Sequence, residues 1–225
     1  MREDEFFAGI AKRLGRSSAL TTAPARDVVG APDFWQSYAL PEEERLEKFC
    51  VELEKLGGSA VVYDSKASLL QGLSGFLETL QPRTVGMWSG AFTAEFDVDR
   101  VLAGREVVYW GTDGANSVAR MAQVDVGITG CDFAIADTGT VVLMSDIHKG
   151  RSVSLLPSVH VVLIKSSQIR TRMGEVWAEV LQQHGGHLPS SIHFISGPSR
   201  SSDIENDLSI GVHGPATVYA LIWQE

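Results

Sequence analysis

At 225 residues, 44% of them hydrophobic and 21% charged, the chain is long enough to bury one substantial core. A formal net charge of −9 favours solubility and argues against a chain whose main task is to hold nucleic acid, while leaving room for a small basic pocket. Cys50 and Cys131 are too few for a disulfide framework or a four-cysteine iron–sulfur site. No apolar run approaches the roughly 20 residues of a membrane span. The acidic start, Met1-Arg2-Glu3-Asp4-Glu5, lacks a secretory pattern, so a cytoplasmic location is the expectation.

In chain order, Glu3 to Leu14 reads as a helix with Phe6, Phe7, Ile10 and Leu14 on one face. The stretch that follows, with Pro24 and Pro32, reads as an extended arm, so residues 1–40 stand apart from a single domain over 41–225. Pro41 opens a helix to Leu56, acidic in its first turn and stopped by Gly57-Gly58. Ala60 to Tyr63 is a strand, and Leu69 to Leu80 has helical periodicity. Strands are expected at Thr84–Trp88, Glu106–Trp110, Asp125–Thr129, Val141–Met144, His160–Ile164, Ile192–Ile195 and Val218–Trp223, with helices at Ser117–Ala122 and Ile169–Gln183. Strands alternating with helices, several apolar throughout, describe an α/β protein with a largely parallel sheet flanked by helices. Sites on such sheets lie beyond the carboxyl ends of the strands, which directs attention to the loops after Ile128, Ile164 and Ile195.

Three constellations carry candidate chemistry. The first runs from Val126 to Leu143. Asp132 and Asp137 offer proton transfer or hydroxyl binding, and Thr129, Gly130, Thr138, Gly139 and Thr140 offer hydroxyls and close backbone approach. The competing reading makes Asp137-Thr138-Gly139-Thr140 a turn between strands. An aspartic protease needs this triplet twice in an all-β frame, and it occurs once here among alternating elements. The second constellation is Ile195 to Glu205. Ser202 and Glu205 form a capping box that predicts a helix, and Arg200 just before it, with Ser196 and Gly197, suits a carboxylate or phosphate. The third is Gly211-Val212-His213-Gly214-Pro215, where His213 is either an acid/base group or a turn residue. His148-Lys149-Gly150-Arg151 is a cationic loop that offers Arg151 to an anion or is simply solvated. His184 and His187 flank a helix-ending Gly-Gly and have no third ligand, so no metal site is expected. No G-x-G-x-x-G follows a strand and no Walker A sequence occurs. No base near Cys131 marks it as a nucleophile.

Taken together, Gly130 to Thr140, Gly150-Arg151 with Leu155-Leu156-Pro157 and His160-Val161-Val162, Ile195 to Glu205, and Gly211 to Pro215 resemble the LUD-domain family. These motifs span Gly127 to Pro215, and the first 40 residues match nothing sharply. The resemblance implies a fold similar to sugar-phosphate isomerases and CoA transferases, with Gly130-Cys131-Asp132 similar to the Gly-x-Asp loop at the isomerases' sites. It also implies membership of a three-component, iron–sulfur-containing system that oxidises L-lactate to pyruvate. In that system the clusters belong to partner proteins, and this chain is the non-cluster subunit, without a cofactor of its own. The alternative is a stand-alone enzyme acting on a small carboxylate or phosphorylated substrate.

Overall fold

The computed structural model describes residues 2–20, 22, 38–112, 114–185, 187–202 and 207–225. The chain forms two compact units, Met1–Ser37 and Tyr38–Glu225. In the first, helix α1 (Glu3–Arg13) has acids in its first turn and bases in its last, complementing the helix dipole. Its Phe6, Phe7 and Ile10 are exposed, as is Leu14 just beyond it. Most of the expected arm, Pro24 and Pro32 included, lies outside the described residues.

The second unit begins with α2 (Glu42–Lys55), which buries Leu46, Phe49 and Leu53 at helical spacing. The other helices are α3 (Lys66–Leu80), α4 (Ala91–Phe96), α5 (Asp99–Leu102), α6 (Ser117–Met121), α7 (Ser152–Leu155) and α8 (Met173–His184). Helix α3 starts at Ser65, whose hydroxyl accepts from Ser68 N, and buries Leu69, Leu73 and Leu77 completely.

The strands are β1 (Ser59–Tyr63), β2 (Thr84–Met87), β3 (Glu106–Tyr109), β4 (Val126–Thr129), β5 (Phe133–Ile135), β6 (Thr140–Met144), β7 (Val159–Lys165), β8 (Ile169–Arg170), β9 (Ile192–Ile195), β10 (Arg200–Ser202), β11 (Leu208–Ile210) and β12 (Thr217–Trp223). Six of them form a sheet in the order β1-β12-β7-β4-β2-β3, parallel at every pairing. Helix-covered faces leave β4 and the middle of β7 fully buried, hence their unbroken apolar runs. From β2 the chain moves outward to β3. From β4 it builds the other way, through β7 to β12. The strand order therefore switches direction at the β2/β4 crevice.

Three expectations are corrected here. Val141–Met144 and Ile192–Ile195 are strands but do not join the parallel sheet. They form, with β5 and β8, a second sheet in the order β8-β5-β6-β9, antiparallel at β5–β6 and β6–β9. One face of this sheet, with Ala134, Val141 and Leu143, packs into the main core. The other, with Phe133, Ile135, Val142 and Met144, packs on Val176 and Val180 of α8. A strand covered on both faces reads as continuously apolar whichever way its neighbours run. The second correction concerns Arg200 to Ser202, which is strand β10 of a hairpin with β11 and not the approach to a helix. Ser202 ends that strand, and Glu205 lies outside the described residues. Helix α8 also begins later than the pattern suggests, because Ile169–Arg170 is drawn into strand β8.

Candidate functional site

A cavity of about 360 Å³ opens at the carboxyl ends of β2, β4 and β7, over the β2/β4 crevice. Its position follows from the strand order, since connections leaving in opposite directions leave a gap between them. After β2, Trp88 continues the ladder through its N–H to Ile128 O at 3.3 Å, and its indole Nε1 donates to Gly150 O at 3.2 Å. Ser89 Oγ donates to Trp110 O at 2.9 Å and lies 3.2 Å from His148 Nδ1. Gly90 then turns the chain into α4 with φ of 70°, a left-handed conformation that favours glycine.

After β4 come Gly130, Cys131 and Asp132. Asp132 is held on three sides: its N–H donates to Val142 O at 2.9 Å, its Oδ2 accepts from Met144 N at 2.6 Å, and its Oδ1 accepts from Lys149 Nζ at 2.6 Å. The Lys149 ammonium also sits 5.5 Å from the Trp88 ring centroid. Asp146 shapes the loop that carries Lys149 by accepting from the backbone N–H groups of His148 and Lys149 at 2.6 and 2.8 Å. Beyond β7, Gln168 ties two strand exits together, accepting from Lys165 N at 2.9 Å and donating to Cys131 O at 2.6 Å. Glu95 at the rim is engaged by Lys165 Nζ at 2.7 Å, and that hydrogen bond holds the Lys165 ammonium above its ordinary pKa.

The cavity thus presents the Lys149 ammonium and the Asp132 carboxylate side by side, both mostly buried and next to the Trp88 ring, with Asp146 Oδ2 3.9 Å from the same ammonium. Such a pair matches, in charge and hydrogen bonding, a molecule carrying both an anionic group and a hydrogen-bond donor. Cys131 also lines the cavity, but burial first and the neighbouring Asp132 charge second push its thiol well above the ordinary value, making it a poor nucleophile.

The sequence-selected residues fall into two main groups, with His213 apart from both. Gly130 and Asp132 line the cavity, with Thr129 directly behind them, fully buried and hydrogen-bonded at 2.8 Å to His160 Nε2. Arg151 lines a narrow crevice adjoining it, shared with Lys149 and His193. The remaining members, His213 excepted, gather around the second half of α2. Asp137 Oδ1 accepts from Lys48 Nζ at 2.6 Å, which raises the lysine pKa. The Thr140 hydroxyl lies 2.7 Å from both Thr138 Oγ1 and Ser196 Oγ. Gly139, at φ of 55°, passes so close to α2 that a Cβ would stand 2.3 Å from Leu53 N. Gly197 packs on Leu56. Exposed Arg200 extends over Gly57, where its cation faces the carbonyl end of α2 instead of a helix N-terminus. This second group fastens α2 to the sheets. Asp132 and Asp137 therefore engage different lysines on different elements, and His213 is exposed in the turn before β12.

The cavity residues that sequence reasoning missed include Trp88, Ser89, Glu95, Asp146 and Gln168, and His148 and Lys149 were seen only as part of a charged loop. The strand-end rule would have reached Trp88-Ser89 had β2 been recognised as the neighbour of β4. Among the described residues, no group of three or more His, Cys, Asp or Glu is placed to hold a metal ion. Nor is any helix among them long and apolar enough to cross a membrane.

Fold and site together define an α/β protein with a small-molecule cavity at the switch point of a parallel sheet. The LUD domain family matches residues 46–223, and the chain belongs to that family. It is 34% identical over 218 residues to a lactate utilization protein C of Halalkalibacterium halodurans, covering 95% of this chain and 94% of the relative. It is 30% identical over 236 residues to another of that name from Bacillus licheniformis, covering 99% and 96%. A crystal structure of a DUF162 family protein from Deinococcus radiodurans superposes with a TM-score of 0.62 at 21% identity, covering 82% of this chain and 99% of that one. At that identity the likeness shows the shared fold.

Proposed function

We propose that this chain is a cytoplasmic component of an L-lactate utilisation system, handling the small acid while iron–sulfur partner proteins carry the electrons. The observation that carries this reading is the Lys149–Asp132 pair, 2.6 Å apart in a cavity at the carboxyl ends of β2, β4 and β7. It is supported by membership of the LUD domain family and by relatives named lactate utilization protein C. A 2-hydroxy acid matches that pair chemically. Its carboxylate takes the Lys149 ammonium, and its hydroxyl donates to Asp132. Oxidation to pyruvate removes two electrons and two protons. The reaction breaks the hydroxyl O–H and the Cα–H bonds; Asp132 would take the hydroxyl proton, and the iron–sulfur partners would supply the acceptor for the two electrons together with the group that takes the Cα proton.

The test has two arms. Thermal unfolding of the chain with L-lactate, pyruvate, inorganic phosphate or a nucleotide reads binding directly. A ligand at ten times its Kd stabilises the fold by about 1.4 kcal/mol. Lys149→Met is expected to abolish the lactate shift while costing about 1–2 kcal/mol of stability, because Asp132 loses its counter-charge. The second arm is lactate-dependent dye reduction by the reconstituted partners with and without this chain. Equal rates in both, together with no shift by either acid, sink the proposal. Turnover of a phosphorylated substrate by the isolated chain establishes the stand-alone enzyme instead.

A further inference from the structure

A proton taken by Asp132 has no exit through the groups that hold Asp132. Met144 N–H and the Lys149 ammonium, each at 2.6 Å from a carboxylate oxygen, are donors without a lone pair. The side chain is only 14% exposed, so the proton must cross the cavity to reach bulk water. Other lining groups with lone pairs are engaged: Glu95 by Lys165 Nζ at 2.7 Å, Gln168 by Lys165 N and Cys131 O, and Asp146 Oδ1 by the N–H groups of His148 and Lys149. His148 differs. It lines the same cavity and is exposed. The Ser89 hydroxyl has one proton, which it donates to Trp110 O at 2.9 Å, so in its 3.2 Å contact with His148 Nδ1 the ring nitrogen is the donor. The neutral ring therefore carries its proton on Nδ1 and an open lone pair on Nε2, which has no hydrogen-bond partner among the described residues. The residue is also fixed in place. His148 O accepts from Ser89 N at 3.2 Å, and the ring lies so close to Gly90 that a Cβ there would stand 3.1 Å from its Cγ.

We propose that His148 is the proton-transfer residue that carries the hydroxyl proton from Asp132 to solvent, with Ser89 holding its ring in the required tautomer. This rests on the reading of the cavity as a hydroxy-acid site and adds the route by which that site is reset. The hydroxyl O–H breaks and Asp132 becomes a carboxylic acid. Its proton passes through water in the cavity to Nε2, which restores the carboxylate and makes the ring an imidazolium. The Nε2–H bond then breaks to bulk water, and the lone pair returns to Nε2. The Nδ1–H stays on Ser89 throughout, so no ring rotation is needed between turnovers.

The test has a structural and a kinetic readout, both on the full chain. Nitrogen-15 NMR of the histidine rings at alkaline pH, with His148 assigned by its absence from the His148→Ala spectrum, is expected to show a protonated Nδ1 and a bare Nε2. An Nε2–H ring in the wild type overturns the proposal. In lactate-dependent dye reduction with the reconstituted partners, His148→Ala and His148→Gln are each expected to lose about 100-fold in turnover, the low end for a positioned proton-transfer group. Both keep the lactate thermal shift, and added imidazole restores turnover to His148→Ala. Glutamine can still donate to Ser89 but cannot take up a proton, so wild-type turnover in His148→Gln means a structural role and overturns the proposal. Loss of turnover that imidazole does not restore overturns it as well. In both cases a retained lactate shift leaves the hydroxy-acid reading standing. A complete wild-type system that neither binds nor oxidises lactate overturns that reading and the relay with it.

Discussion

His160 lies at the centre of the parallel sheet, fully buried, with Nε2 bonded to Thr129 Oγ1 at 2.8 Å and Nδ1 without a hydrogen-bond partner among the described residues. Among the described residues no charge compensates a protonated ring, and burial pushes its pKa down from 6.5 to about 4. The consequence is a pH dependence of stability with a definite sign. Above pH 6.5 both folded and unfolded chains carry the neutral imidazole, and the folded state has its full stability. Between pH 6.5 and pH 4 the unfolded chain holds a proton that the folded chain excludes, so stability falls as the pH falls. At about 1.4 kcal/mol per unit of pKa difference, the loss between pH 7 and pH 4.5 is about 2.5 kcal/mol. Carboxylates in ion pairs add to acid sensitivity, so the measurement must isolate the histidine. Urea unfolding of wild type and His160→Gln at pH 7, 6, 5 and 4.5 does this, since glutamine keeps a polar group near Thr129 and does not titrate. The stability difference between the two proteins should shrink by about 2–3 kcal/mol over that range. Parallel curves refute the reasoning, because they mean that His160 titrates equally in both states.

Two further predictions separate the cavity from the group around α2. Gly139→Ala is expected to destabilise the chain by at least about 2 kcal/mol in urea unfolding, since its φ of 55° and the Leu53 backbone both oppose a Cβ. Asp137→Asn should cost about 1 kcal/mol through loss of the Lys48 pair, and Arg200→Ala less than about 1 kcal/mol, being exposed. Both should leave lactate-dependent thermal shifts intact, and loss of the shift in either, with the fold preserved, would return that residue to the binding site.

Much of the fold was legible because it rests on local physics. Helix α2 announces itself through its acidic first turn and the Gly57-Gly58 stop, and α3 through leucines at helical spacing. Strands β2, β4, β7 and β12 do so through short apolar runs, and their alternation with helices indicates a parallel sheet. Of the site, Gly130 and Asp132 were reachable because they follow a strand, where such sheets bind ligands.

What no local pattern holds is which strand lies beside which. Val141 to Met144 is apolar at every position both in a parallel sheet and, as found, between the main core and α8, so its sheet was decided by tertiary packing alone. The capping box at Ser202 and Glu205 is a local preference, and Arg200 to Ser202 instead gains backbone hydrogen bonds with Leu208 to Ile210 in a hairpin. The separation of Asp132 from Asp137 has the same origin. The two lie five positions apart in sequence, yet Asp132 pairs with Lys149 and Asp137 with Lys48 of α2. The amino-acid sequence by itself determined most of the helices, the apolar strands and the class of sheet, and it directed attention to the carboxyl ends of those strands. Only the tertiary structure decided which charged side chains meet there, because those partners are brought together by strand order and not by neighbourhood along the chain.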